Sequence, residues 1–219
     1  MSDGFTDFLD RSQAFYGQLA RNNSKDWFEP RKAEWKADIE APAKLLVEIM
    51  AEELSRLTGD PHTGKLFRIH RDVRFSKDKT PYKTSLSMLW STPDADDLAT
   101  SFYFAIDPAD TIAACGTPGF DKEALTRYRA MVDTWGDRLS DILDETDARI
   151  ADIGPDPLKR VPKPYDADHP HGDLLKRKSL ALTTALDPGW RATGDGLVSA
   201  LTDTFERLLP FRAFMADRL

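Results

Sequence analysis

A single cysteine, Cys115, has no partner within the chain, so no internal disulfide is possible among its 219 residues, which fits a reducing compartment. No apolar run approaches the ~20 residues that a membrane helix needs. The N-terminal stretch M-S-D-G-F-T-D-F-L-D holds three acids and no basic region ahead of an apolar run, so it does not read as a signal peptide. Positive charge is outweighed overall, with 30 Lys and Arg against 37 Asp and Glu. The chain is net −7, which argues against a general nucleic-acid coat protein. G-x-S-x-G, H-E-x-x-H, G-x-G-x-x-G and Walker A patterns are missing, as are internal repeats and Gly/Ser linkers. No membrane partner, metal or cofactor is implied, and the setting reads as cytoplasmic. What is present, 41% hydrophobic and 31% charged residues, suffices for one sizeable core. The expectation is a single domain over 1–219.

Period and punctuation supply the element order. Phe5, Phe8, Leu9, Phe15, Tyr16 and Leu19 recur at helical spacing and predict an amphipathic helix over 5–21. Asn22, Asn23 and Ser24 break it and can cap the next helix, which meets Pro30. Pro42 opens a further helix with Leu45, Leu46, Ile49, Met50, Leu54 and Leu57 as its stripe, ended by Gly59 and Pro61. From Lys65 the period changes to two, and alternation returns at Leu86–Met88–Trp90 and Phe102–Phe104–Ile106, with a T-I-A-A-C run after a D-P-A-D turn. Residues 121–151 return to helix with a break at Gly136. Residues 154–173, which hold five prolines, are a loop. Ser179–Leu186 reads as a strand or a short helix, and a terminal helix bends at Pro210. Segregated runs of this kind predict an α+β fold with an antiparallel sheet of about four to five strands packed with N-terminal, middle and C-terminal helices.

One segment reverses the sign of the chain. Phe67–Lys83, F-R-I-H-R-D-V-R-F-S-K-D-K-T-P-Y-K, carries Arg68, Arg71, Arg74, Lys77, Lys79 and Lys83 against Asp72 and Asp78. That is six bases against two acids, net +4 in a chain of −7, so the remainder sums to −11. Arg presents a planar fork for phosphate or carboxylate and Lys a mobile point charge, so the segment is a candidate anion cradle. Period two predicts a strand at 65–70 and an ordered loop at 71–83, because Pro81 cannot lie inside a central strand. Arg71, flanked by Ile69 and Val73, is either buried and paired or lies beyond the strand's end. Asp72 and Asp78 orient the bases, Tyr82 stacks or orders the loop, and His70 beside Asp72 is the one candidate acid/base pair. The alternative is a salt-bridged surface loop with no ligand, in which Arg71 pairs with Asp72.

The stretch R-D-V-R-F-S-K-D-K-T-P-Y-K resembles the signature of the family of domain of unknown function 2461. N-N-S-K-D-W-F at 22–28, F-Y-F-A-I at 102–106 and L-K-R-V-P-K-P-Y-D-A-D-H-P at 158–170 match in order. The resemblance spans nearly the whole chain. It implies a single α+β domain and no particular activity. Pro164 stands where the family tends to have glycine.

A second basic stretch, 158–178, carries Lys159, Arg160, Lys163, Lys176, Arg177 and Lys178 against Asp166, Asp168 and Asp173. The expectation is that it lies beside 68–83, with Lys163 and Tyr165 as the opposite wall of one positive pocket. Its Asp166, Asp168, His169, His171 and Asp173 match no established metal spacing, and the nearby lysines oppose a cation. Three function classes follow. The first binds a small phosphorylated or carboxylated metabolite in a pocket of about 300–1,000 Å³. The second processes a phosphoester, with the bases stabilising transition-state charge and Asp72 or His70 as acid/base. The third binds RNA or a protein partner through the same patch with Tyr82, Tyr165 and Trp90. Charge and motif content favour the first.

Overall fold

The computed structural model describes residues 4–93, 101–187 and 189–219. The fold is α+β, with a six-stranded antiparallel sheet in the order β1-β2-β3-β4-β6-β5, one strand more than the upper expectation. The strands are β1 Thr63–Leu66, β2 Leu86–Ser91, β3 Phe102–Ile106, β4 Thr111–Thr117, β5 Arg149–Ile150 and β6 Leu180–Thr184. Ser179–Leu186 therefore resolves to a strand. The extra strand, β5, lies inside the stretch read as helix. Two residues carry no period of their own, and pairing with β6 (Arg149 opposite Thr183, Ile150 opposite Leu182) makes them a strand. Strand β1 is shorter than expected and ends at Leu66, although Phe67 N–H still donates to the Ser87 carbonyl at 2.9 Å.

Two compact units make up the chain. One takes its described residues from Met1–Pro93, Tyr103–Ala113 and Ala185–Thr204, the other from Asp94–Phe102, Ala114–Thr184 and Phe205–Leu219.

In the first unit, helix α1 (Phe5–Arg21) buries Phe5, Phe8, Leu9, Tyr16 and Leu19, one face of a 3.6-residue period. Ser24 caps α2 (Lys25–Phe28) by accepting from the Trp27 N–H at 3.3 Å. The path runs on through a 3-10 turn at Glu29–Arg31, α3 (Lys32–Trp35), a π turn at Lys36–Glu40 and α4 (Ala41–Thr58). Pro30 and Pro42 both sit where a first-turn proline removes no needed donor. Helix α4 buries Ala43, Leu46, Val47, Met50 and Leu54, and lies against β1 where Gly64 pairs with Trp90. A Cβ on Gly64 would stand 2.4 Å from Val47 Cγ1 and 2.8 Å from the Trp90 ring. The missing side chain lets the Trp90 indole donate to the Val47 carbonyl at 2.9 Å. Helix α7 (Trp190–Thr193) is tied to α1 by Arg191 on Asp10 at 2.6 Å.

The second unit is built around α5 (Lys122–Glu145), capped by Asp121 and kinked at Trp135, one residue before the expected break at Gly136. Tyr128 stacks on Phe120 at 4.6 Å and donates to the Leu174 carbonyl at 2.9 Å, anchoring α6 (Gly172–Leu175). The terminal helix is two helices: α8 (Gly196–Arg207), whose residues up to Thr204 belong to the first unit, and α9 (Leu209–Ala216) in the second, with Pro210 in the first turn of α9. Phe205 packs on Phe102 at 4.9 Å, and Arg212 lies over the same ring at 5.7 Å. Among the described residues no helix is long and apolar enough to cross a membrane.

Candidate functional site

The basic segment leaves the sheet after Phe67 and returns at Lys83, and its base is pinched by backbone pairing. His70 faces Tyr82 in an antiparallel bridge, Arg71 N–H donates to the Pro81 carbonyl at 2.9 Å, and Lys83 N–H donates to the Ile69 carbonyl at 2.7 Å. Asn23, in the break between α1 and α2, clamps the outgoing side. Its amide donates to the Tyr82 carbonyl at 2.9 Å and accepts from the Tyr82 N–H at 3.1 Å. The Tyr82 ring lies 4.4 Å from Phe28 and is 1% exposed. Tyr82 thus orders the loop and offers no face for stacking. Trp90 is likewise fully buried, which removes two of the three aromatics expected to stack on RNA.

Inside the loop, three expected anion contacts already have partners within the loop. Arg71 lies beyond the strand's end and is paired, but with Asp78 and not the adjacent Asp72. Its guanidinium also reaches the Thr80 hydroxyl and the Thr80 carbonyl, the latter at 3.3 Å. Asp78 collects the Thr80 N–H at 2.9 Å and the Thr80 hydroxyl at 3.0 Å. These bonds, the Thr80 backbone first and the Arg71 side chain next, hold the Asp78 carboxyl down at about 2. Arg74 grips Asp72 with two nitrogens at 3.0 and 2.7 Å, which lowers the Asp72 pKa. Lys79 donates to the Val73 carbonyl at 2.9 Å. With Asp72 turned to Arg74 and His70 resting 5.3 Å from the Tyr82 ring, the two are held by different neighbours.

Lys65, Arg68 and Lys83 gather at the loop's base. Lys65 and Lys83 both lie over the Phe67 ring, at 5.4 and 5.0 Å. Burial, then Arg68, then Lys65 pull the Lys83 pKa below its ordinary value. No hydrogen bond or ion pair to an acid is made by Lys65, Arg68, Lys83 or Lys77 among the described residues. The charge of Arg68 does add to the field lowering the Asp72 pKa. Lys65 was not picked out from sequence. The available signal was its strand parity with Phe67, which puts both side chains on one face. Elsewhere in the first unit a cleft of about 180 Å³ is lined by Arg11 and Arg31 together with Glu34 and Asp38, a balanced set with no preference for anions.

Lys163 and Tyr165 belong to the second unit. Lys163 is exposed, joined to Pro164 by a cis peptide, and Tyr165 is half-buried. The loop that carries them is fastened to α5 by His169 on Asp133 at 3.3 Å and His171 on Asp137 at 2.8 Å, with Ser140 at 3.3 Å from the other His171 nitrogen. A Cβ on Gly136 would lie 2.1 Å from the His171 ring, so this helical glycine makes room for the contact. No group of three or more His, Cys, Asp or Glu side chains is arranged to hold a metal among the described residues. Cys115 is buried, and burial pushes its thiol up to about 12, so it is inert.

The chain belongs to the conserved hypothetical protein family of domain of unknown function 2461, whose model matches residues 11–214. A search of curated proteins finds no match.

Proposed function

We propose that this protein binds a small phosphorylated or carboxylated molecule through Lys65, Arg68 and Lys83. The carrying observation is a half-buried lysine whose positive charge is opposed by burial and by two neighbouring cations, with no acid paired to any of the three among the described residues. Such an arrangement costs stability when empty, and an anion relieves it. Arg68 contributes a planar fork for two oxygens, while the two lysines, both over the Phe67 ring, contribute point charges. The internal bonds of the loop support the same reading, because they hold Lys83 and Ile69 in fixed register and so pre-position the cations. A reducing, cytoplasmic setting fits the one free thiol.

The test is a thermal-shift series with inorganic phosphate, pyrophosphate and citrate on wild type, Lys83→Ala, Arg68→Gln and Arg74→Ala. An anion present at about 100 times its dissociation constant adds about 2.7 kcal/mol. Stabilisation is expected in wild type and Arg74→Ala and is expected to vanish in Lys83→Ala. An equal shift in Lys83→Ala, or no shift with any anion, overturns the reading.

A further inference from the structure

The tip of the same loop holds a side chain that a small-anion site leaves without a role. Phe75 is 96% exposed, whereas the next most exposed large apolar side chain among the described residues, Leu45, is at 51%. Single apolar residues at the surface are common, but among the described residues no other large one approaches this exposure. Nor is the ring carried on a loose segment. Its loop is closed by the His70–Tyr82 bridge and braced from within by Arg71 on Asp78 and by Lys79 on the Val73 carbonyl. The fold therefore presents Phe75 outward.

Its neighbours are cationic. The Arg74 guanidinium lies 5.9 Å from the Phe75 ring, and its side chain is largely exposed. Asp72 occupies Nε and Nη2 of Arg74, which leaves Nη1 for another acceptor. Lys77 is exposed and has no acid paired to it among the described residues.

We propose that this tip docks single-stranded nucleic acid, one base stacking on Phe75 while the flanking phosphates meet Lys77 and Arg74. A flat ring standing clear of any groove recognises another flat π face, and every unpaired base has one. A duplex keeps its bases stacked and hidden. An anionic membrane is a broad surface, and would meet the rest of the chain, which sums to −11 outside residues 67–83. A single strand touches the loop alone, which suits a local positive tip on an acidic protein. The proposal goes beyond the small-anion reading and stands without it, since neither Phe75 nor Lys77 belongs to the Lys65–Arg68–Lys83 group.

The experiment is fluorescence anisotropy of the full chain with labelled oligouridine and oligodeoxythymidine of about 12 nucleotides, and with a duplex of the same length. It is run at about 50 and 200 mM salt. Vesicles of phosphatidylcholine with phosphatidylglycerol are sedimented with the protein in parallel. Binding of single strands over duplex is expected, weakening as salt rises. The two oligonucleotides separate RNA from DNA as the source. Phe75→Ala is expected to lose about tenfold in affinity and Phe75→Trp to retain it. Lys77→Ala is expected to flatten the log–log salt slope by about 0.7. The melting temperature of Phe75→Ala should match wild type, since the ring contributes nothing to the core. Absence of oligonucleotide binding at low salt overturns the proposal, as does equal binding by Phe75→Ala, or co-sedimentation with anionic vesicles alone. Phosphate stabilisation through Lys83 is scored separately, so failure of either reading leaves the other standing.

Discussion

Arg71 reaches along its own loop to Asp78, and the carboxylate it meets is also bound by the backbone and the hydroxyl of Thr80. The second of the three arginines in the basic segment is thus a brace for the loop and is not presented to a ligand.

Arg71→Lys keeps the charge but removes the fork that spans Asp78 and Thr80. The Arg71 and Lys83 amides at the loop base are expected to exchange with solvent about tenfold faster. The amides of β3 should be unaffected. Hydrogen exchange read by NMR checks this, and unchanged exchange at the loop base would show that the brace is dispensable.

The brace has a pH limit. The Asp78 carboxyl titrates at about 2 in the folded chain, below the usual value near 3.9. A depressed carboxyl contributes order that is complete above the ordinary value and is lost as pH falls through the folded one. The Thr80 amide resonance is therefore expected to hold its position down to about pH 4 and to shift with a midpoint near 2. A midpoint at the ordinary value would mean that Asp78 is not held in solution.

For Lys83 the sign is opposite. Its folded pKa lies below the ordinary value, so its positive charge opposes folding until the pH rises through that folded pKa and the proton leaves. A bound phosphate favours the charged form and raises that pKa. Titration of the Lys83 side chain by NMR, with and without phosphate, is expected to show an upward displacement, and phosphate affinity should fall as Lys83 loses its proton. No displacement would separate phosphate binding from this lysine.

Gly64→Ala is expected to destabilise the protein by about 1–3 kcal/mol, because the new methyl group meets Val47 and Trp90 well inside contact distance. A strand glycine with open space at its Cβ position gives the reverse result on the same change. Urea unfolding measures it. A neutral outcome would mean that α4 moves off β1 at little cost.

Gly136→Ala in α5 should gain about 1 kcal/mol from helix propensity alone, but its methyl group collides with the His171 ring. The change is expected to be destabilising in the wild-type background and stabilising in His171→Ala, a coupling that a double-mutant cycle reads directly. The same sign in both backgrounds would show that His171 swings aside freely.

Much of the scaffold was legible because it is local. The bounds of α1 follow from its stripe of aromatics and leucines, and the loop ahead of Lys83 follows from Pro81, but the end of β1 does not, because the period-two alternation runs on past Leu66, where the strand stops. The pairing inside the loop was not legible. Arg71 has Asp72 next to it and Asp78 seven residues on, both carboxylates of the same kind, and only the closing of the loop by Ile69 and Lys83 decides between them. The part played by Asn23 was hidden for a similar reason, since the residue it binds lies 59 positions away. Lys65 escaped notice because it precedes the dense run of charge. Phe75 continues the period-two alternation in sequence, but it lies in the loop, where that parity no longer points it inward.

The Asn23 clamp and the seat of Tyr82 on Phe28 mean that the signature segment is not autonomous. A synthetic peptide spanning 67–83 would carry all the charges and none of the posture. Grafting it onto another scaffold would require the α1–α2 corner to travel with it.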